Sequence, residues 1–150
     1  MSSQQLDPRE LAIWGAFLDL WRVLASGMER QLADAGSSGA DYQVLVTLEE
    51  AGHPLRPRDI GNQLAWDRSR VSHQLRRMEQ RGLVTRTSVE VDARGTLVAL
   101  TAQGRQTLRA AAPGHVAWVR QNFLRHLDDD DAEVLTRVAQ QIVDSLTRAE

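Results

Sequence analysis

The chain of 150 residues contains no cysteine and no lysine. Without cysteine it can form no disulfide, bind no metal through thiolates and carry no thiol redox switch. All 18 basic residues are arginines, and because lysine is missing even where no ligand is expected, we interpret its absence mainly as a bias of genomic base composition. We find no signal peptide and no apolar run long enough to cross a bilayer, so we expect a cytoplasmic protein with no membrane partner.

The sequence also lacks the motifs of common catalytic sites. It contains no G-x-S-x-G, no H-E-x-x-H and no glycine-rich phosphate loop, and with cysteine missing it has no thiol nucleophile. No two histidines fall at a helical ligand spacing beside a carboxylate. We therefore expect neither an enzyme nor a metal site, and no cofactor.

Charge is unevenly distributed along the chain, although the formal net charge is only −2. Residues 54–95 contain nine arginines and five acidic residues, whereas the segments on either side carry an excess of acid. A basic centre between acidic flanks predicts a protein that presents one face to a polyanion and the rest to another protein.

Residues 67–82 are predicted to form a helix with a cationic outer face. Asp67 is a good N-cap, and Gly82 suits the left-handed position that follows a helix end. Val71, Leu75 and Met78 recur at helical spacing and predict a buried stripe. The opposite face carries side chains whose donors suit base edges and phosphate oxygens, namely Arg68, Ser69, Arg70, Ser72, His73, Arg76 and Arg77.

A shorter helix is predicted just before this one. Pro57 favours its first position, and Leu55, Ile60 and Leu64 can anchor it in a core. The connection from there to residue 67 is short enough for the turn of a helix-turn-helix motif. Arg56 and Arg58 lie near the start of the short helix, where phosphate contact and a merely solvated surface are about equally plausible.

Residues 84–100 are predicted to form a β-hairpin. Polar and apolar residues alternate up to a turn made by Asp92-Ala93-Arg94-Gly95, from which Arg94 is expected to project. A charged helix face alone is more often a solvated face, but a following hairpin with an arginine at its tip changes that balance. Helix and hairpin together could occupy the major and minor grooves of DNA.

These residues carry a resemblance to a known family. The chain resembles MarR-family (multiple antibiotic resistance regulator) transcription factors, which are winged helix-turn-helix homodimers. The match consists of the helix end MEQRGLVTR and, in register after it, Asp92, Arg94, Leu100, Thr101 and Gly104. The resemblance implies a repressor in which residues 67–82 are the recognition helix and residues 84–100 the wing, with Asp92 and Arg94 at a DNA-binding tip.

Both ends of the chain are predicted to contribute helices to a dimer. Leu11, Trp14, Leu18 and Trp21 follow spacings of three and four without a miss, and a second apolar stripe that includes Phe17 runs along another face. Two stripes predict burial on two sides, one of them against a second chain. The alternative is an N-terminal helix that lies deep within its own subunit.

After the hairpin, Thr101 can cap a long helix that must kink or break at Pro113. A last helix, capped within Asp128–Asp131, would bury Val138, Ile142 and Leu146. We therefore predict a mainly α fold with a small β-hairpin wing in one domain, residues 1–150. Within it, about 6–34 and 115–149 form dimerisation helices and about 41–112 form the winged helix-turn-helix lobe.

Such a dimer would bind double-stranded DNA at a palindromic operator. The resemblance further implies release of the operator by a small aromatic or phenolic effector. Aromatic residues near helix junctions are the candidates for its pocket, although core or dimer packing is the commoner role of such residues: Trp14, Phe17, Trp21, Tyr42, His115 and Trp118. The competing hypothesis is a winged-helix module that binds only proteins.

Overall fold

The computed structural model describes residues 5–88 and 95–148, in two units, Met1–His115 and Val116–Glu150. The predicted fold class is confirmed, because helices dominate and one two-stranded antiparallel hairpin accompanies them. The elements are α1 (Pro8–Asp34), α2 (Gly39–Ala51), α3 (Pro57–Leu64), α4 (Arg68–Gln80), β1 (Val84–Ser88), β2 (Thr96–Leu100), α5 (Ala102–Asn122), a single 3₁₀ turn (Leu124–His126) and α6 (Asp129–Thr147).

Acidic and hydroxyl side chains fix the starts of most helices. Asp7 caps α1 and Ser38 caps α2, each in a reciprocal capping box with the residue three positions on. Because Ser38 takes this role, α2 begins at Gly39. Asp128 caps α6 by accepting from the Asp131 N–H, as expected for that acidic run.

The core of the first unit lies between α2, α3, α4 and the hairpin. The predicted stripe of α4 is confirmed, since Val71, Leu75 and Met78 are at most 3% exposed. Burial of these side chains fixes the outer face of α4 as the one turned to solvent. The other members of this core are Val44, Leu45, Leu48, Leu55, Ile60, Leu83, Val84, Val98, Leu100 and Leu108.

The hairpin is joined to the helical part by a third short segment. β1 and β2 pair with Val84 opposite Leu100 and Ser88 opposite Thr96. Leu55 and Val98 exchange backbone hydrogen bonds of 3.0 and 2.8 Å. Leu55 was expected to anchor α3, but it lies before that helix and pairs with the returning strand.

Of the two alternatives for Pro113, a kink or a break, α5 excludes the break. The helix runs without a break from Ala102 to Asn122 with Pro113 inside it. A proline within a helix leaves one carbonyl of the preceding turn without its usual N–H donor.

α1 and α6 carry large apolar side chains that solvent reaches. On α1, Leu11, Trp14, Phe17 and Trp21 are each more than half exposed, while Leu18 is half-buried. In the second unit, the exposed large apolar side chains of α6 are Val134, Leu135, Val138, Ile142, Val143 and Leu146.

α1 is also long and apolar. Its 27 residues pass a length and composition test for a membrane-spanning helix, so the expectation that no apolar stretch reaches such a length was wrong. So many exposed large apolar side chains on one helix are unusual for a free protein surface.

Candidate nucleic-acid interface

A tight turn sets α4 against α3. Ala65 adopts a left-handed conformation with φ 52°, and the Trp66 N–H donates to the Gly61 carbonyl at 2.9 Å. A Cβ on Gly61 would lie 3.1 Å from the Trp66 carbonyl oxygen, so glycine lets the chain fold back closely at this point. Asp67 then caps α4 by accepting from the Arg70 N–H at 2.9 Å, as predicted.

The outer face of α4 is cationic and open to solvent. All seven side chains predicted for this face are exposed: Arg68, Ser69, Arg70, Ser72, His73, Arg76 and Arg77. The helix ends at Gln80 with Arg81 as its C-cap, and Gly82 follows with φ 72°, which confirms the predicted stop. An exposed row of guanidinium groups and hydroxyls can bind phosphate oxygens and base edges.

A groove of about 630 Å³ lies between α3, α4 and the hairpin. Arg56 and Arg58 of the α3 start line it together with Arg68 of α4, so the structure joins two separate predictions in one surface. Arg86 of β1 also lines this groove and binds Glu79 of α4 through a contact of 2.7 Å. That ion pair connects the hairpin to the helix.

A buried carboxylate, which the sequence analysis missed, supports α4 from behind. Asp41 on α2 is 1% exposed and accepts from Gln74 Nε2 and from an Arg81 Nη atom, both at 2.7 Å. Burial by itself would raise the pKa of Asp41, but hydrogen bonds from Arg81 and Ser38 and the Arg81 charge together lower it.

The same region is linked to α1. The N–H of Gly39, the first residue of α2, donates to Glu29 Oε2 at 2.9 Å. Ser38, one residue earlier, donates its backbone N–H to Asp41 at 3.1 Å. Polar contacts therefore lead from α1 through the start of α2 to the inner side of α4.

Thr101 and Gly104 fix the start of α5 against the turn after α4. Thr101 Oγ1 lies 2.6 Å from the Gly82 carbonyl oxygen and accepts from the Gly104 N–H at 2.9 Å. A Cβ on Gly104 would overlap the Leu83 carbonyl oxygen, so this position requires glycine. The L-T-x-x-G pattern thus has a physical basis in the packing of α5 on the end of α4.

Comparison with known proteins agrees with this geometry. The MarR family model matches residues 35–95. AbsC, a MarR family transcriptional regulator from Streptomyces coelicolor, is 35% identical, with a TM-score of 0.92 over 99% of this chain and 100% of AbsC. The chain belongs to the MarR family of transcriptional regulators.

Two further MarR-family structures have bound molecules. Sco3205 from Streptomyces coelicolor, solved in complex with DNA, is 31% identical, with a TM-score of 0.92 over 97% of this chain and 92% of that one. PcaV from the same organism, solved with its natural ligand, is 26% identical, with a TM-score of 0.68 over 97% of this chain and 99% of PcaV.

The tip of the MarR-type wing lies outside the described residues. This applies to Asp92 and Arg94, whose roles therefore stay predictions. The strands at the base of the wing, β1 and β2, agree with the predicted hairpin over residues 84–88 and 96–100.

The aromatic residues predicted to line an effector pocket fall into separate groups. Tyr42 and His115 lie together, with ring centroids 4.6 Å apart. Trp14 and Phe17 stack on α1 with centroids 5.5 Å apart, and both are exposed, as is Trp21. Trp118 is half-buried and belongs to the second unit.

His115 of this pair and Gln31 each carry a polar atom that lacks a partner. Among the described residues, His115 Nδ1 and Gln31 Oε1 are buried and form no hydrogen bond. Burial raises the pKa of Tyr42 and lowers the pKa of His115. A neutral imidazole and an unpaired amide oxygen can both bind a polar group of a ligand.

Proposed function

We propose that this MarR-family protein is a homodimeric transcriptional repressor that binds a pseudo-palindromic operator. The observation that carries the proposal is the exposed arginine face of α4. Within residues 5–88 and 95–148, none of Arg68, Arg70, Arg76 and Arg77 pairs with a carboxylate, so their charge is free for a polyanion. The DNA complex of Sco3205 supports this use of the fold.

The proposed DNA contacts divide into base readers and phosphate binders. α4 would enter the major groove with its arginines, Ser69, Ser72 and His73, because its exposed face is long and convex. Arg56 and Arg58, at the start of α3, would bind phosphate through their guanidinium groups. The wing would reach the minor groove with Arg94, a residue placed there by resemblance to the family.

The dimer would form through the apolar faces of α1 and α6. Exposed Leu11, Trp14 and Trp21 on α1, with Leu18 beside them, and exposed Val138, Ile142 and Leu146 on α6 supply the apolar area that a stable interface needs. A two-fold axis would then present two α4 helices to half-sites whose centres are ~34–36 Å apart.

An interface between copies explains the apolar α1 better than a membrane does. Asp19 and Arg22 lie near the middle of its apolar stretch and form an ion pair of 3.1 Å with both side chains more than 70% exposed. Two charged groups at the centre of a bilayer would be costly. We accordingly propose a cytoplasmic protein.

An aromatic or phenolic effector would bind beside Tyr42 and His115 and release the operator. The ligand complex of PcaV supports effector binding as the mode of control. A ligand that binds only one arrangement of the two α4 helices shifts the population toward it in proportion to its differential affinity. The unpaired atoms of Gln31 and His115 are the polar groups that it would meet.

The proposed function is tested by selecting bound sequences from random duplex DNA with the purified protein. We expect an enriched palindrome, and affinity for it that falls with salt at a log–log slope near −0.9 for each neutralised phosphate. If the protein binds no duplex at low ionic strength, the proposal is wrong and a protein-binding winged helix is favoured.

The wing is tested separately by Arg94→Ala on the selected operator. We expect weaker binding with unchanged thermal stability, because a hairpin does not need this arginine to fold. Arg109→Ala, which removes an exposed arginine from α5, is the control and should bind as the wild type does. Equal affinity of both variants would exclude the wing from the interface.

A further inference from the structure

Trp66 lies directly beneath the guanidinium group of Arg70. The central guanidinium carbon is 4.1 Å from the ring centroid, which is a close cation–π contact. The backbone N–H of Arg70 also donates to Asp67 at 2.9 Å, so this arginine is held at both ends. We propose that Trp66 is a positioning residue that orients Arg70 for operator binding, an inference that rests on the proposed function.

The ring of Trp66 is itself fixed by the turn that carries it. The residue is half-buried and packs against the core of the first unit. Its N–H donates to the Gly61 carbonyl at 2.9 Å, and its own carbonyl fits over Gly61 where a Cβ would come within 3.1 Å. The ring is thus a platform attached to α3, and Arg70 adapts to it.

A guanidinium group that meets the ring through its face would keep its edge free. The N–H donors of arginine lie in the guanidinium plane, so a stacked arginine can still form two parallel hydrogen bonds with guanine or phosphate. A side chain ordered before binding loses less conformational entropy when it meets its ligand. Arg70 lies in the first turn of α4, the part of a recognition helix that contacts base edges.

Arg76 provides an internal comparison. It lies on the same exposed face of α4, yet in the described part of the chain the cation–π contact involves Arg70 and Trp66 and not Arg76. If Trp66 acts by orienting Arg70, a change at Trp66 should reduce the contribution of Arg70 to operator binding. The contribution of Arg76 should stay the same.

A double-mutant cycle measured on DNA tests the inference. The probe is the duplex that the wild-type protein enriches from random sequence. Fluorescence anisotropy measures the dissociation constant of each variant for this duplex. Trp66→Leu should weaken binding about two- to fivefold. This loss should disappear when Arg70→Ala is already present and persist when Arg76→Ala is present instead.

The opposite pattern would overturn the inference. If Trp66→Leu weakens binding by the same factor in the Arg70→Ala and Arg76→Ala backgrounds, Trp66 acts by stabilising the fold alone. If Trp66→Leu does not fold, Trp66→Phe is combined with Arg70→Lys, a pair that keeps ring and charge but weakens the stack. The same non-additivity is expected there, and multiplicative losses would again refute the role.

The cycle also separates this inference from the proposed function. A wild-type protein that binds no duplex refutes the function, and with it the basis of the inference. A wild-type protein that binds the selected duplex, combined with independent effects of Trp66 and Arg70, refutes the inference alone.

Discussion

Arg81 at the end of α4 and Asp41 on α2 form an ion pair of 2.7 Å in which the carboxylate is 1% exposed and the guanidinium side chain 42% exposed. One carboxylate oxygen binds Arg81 and the other binds Gln74. One acidic residue of α2 therefore binds two polar side chains at the inner side and the end of α4.

Replacing Asp41 with alanine should destabilise the protein. The change leaves the Gln74 amide and the Ser38 N–H without their acceptor, and each buried polar group left unpaired costs about 1–3 kcal/mol. Loss of the contact with Arg81 adds less to the destabilisation, because solvent can reach its guanidinium group. Chemical denaturation measures the free energy of unfolding, and the exposed Asp34→Asn is the control, expected within about 0.5 kcal/mol of wild type. If Asp41→Ala changes the free energy of unfolding as little as Asp34→Asn does, this account is contradicted.

Asp41 should also make stability fall at acid pH. Its pKa is lowered from 3.8 in the folded state, so the unfolded chain binds the proton more tightly. The stabilisation is complete above the unfolded value and is lost as pH falls through the folded one. Thermal unfolding of wild type and Asp41→Asn should converge as the pH is lowered below 3.8. A gap between them that stays constant would exclude this carboxylate as the source.

His115 should produce a second pH dependence in a different range. Burial lowers its pKa from 6.5, so the folded state disfavours the charged imidazole. Its contribution is present above pH 6.5 and decreases as pH falls through the folded value. The melting temperature of His115→Gln should therefore change less than that of wild type between about pH 7.5 and 5.5.

The control for His115 is His73→Gln, which removes an exposed imidazole from the outer face of α4. Its melting temperature should follow the wild-type dependence on pH. If His115→Gln and wild type lose stability in parallel, the response comes from other groups.

Gly104→Ala should be destabilising because the added Cβ would overlap the Leu83 carbonyl oxygen. Relief requires a backbone shift of the first turn of α5 or of the segment after α4, at a cost of about 1–3 kcal/mol. Gln106→Ala, on the exposed side of the same helix, introduces alanine without a clash and should be close to neutral. Wild-type stability of Gly104→Ala, measured by denaturant titration, would mean that the two segments separate easily.

Trp21→Glu should abolish the proposed dimer and give a monomer. The ring is 62% exposed within one chain, so the subunit itself loses little, but a carboxylate buried between copies is expensive. Light scattering after size exclusion gives the mass, and Arg9→Glu, an exposed change on the same helix, should leave the dimer intact. A stable dimer of Trp21→Glu would show that this face of α1 lies outside the interface.

The features that the sequence predicted well are those with local signals. Asp67, Gly82 and the stripe of Val71, Leu75 and Met78 lie within one helix length, and capping chemistry with 3.6-residue periodicity identifies them. The hairpin followed from alternation in the same way. The exposed face of α4 then resulted directly, because the buried stripe determines the opposite side.

The features that were missed depend on contacts between distant segments. Asp41 and Arg81 are 40 residues apart, and no periodicity reveals that a polar residue near a helix start will be buried. The pairing of Leu55 with Val98 was missed for the same reason, because a single residue that pairs with a strand leaves no periodic pattern in the sequence. Arg70 contacts Trp66 across the N-cap of α4, and because Trp66 lies before the helix begins, helical periodicity does not reveal this contact either.

The backbone pairing of Leu55 with Val98 has a mechanical consequence. Two hydrogen bonds attach the segment that leads into α3 to the strand that returns from the wing, and both side chains are at most 6% exposed. The base of the wing therefore cannot tilt without also displacing the start of α3 and the arginines there. The root of the hairpin, the start of α3 and its arginines should accordingly move together as one block.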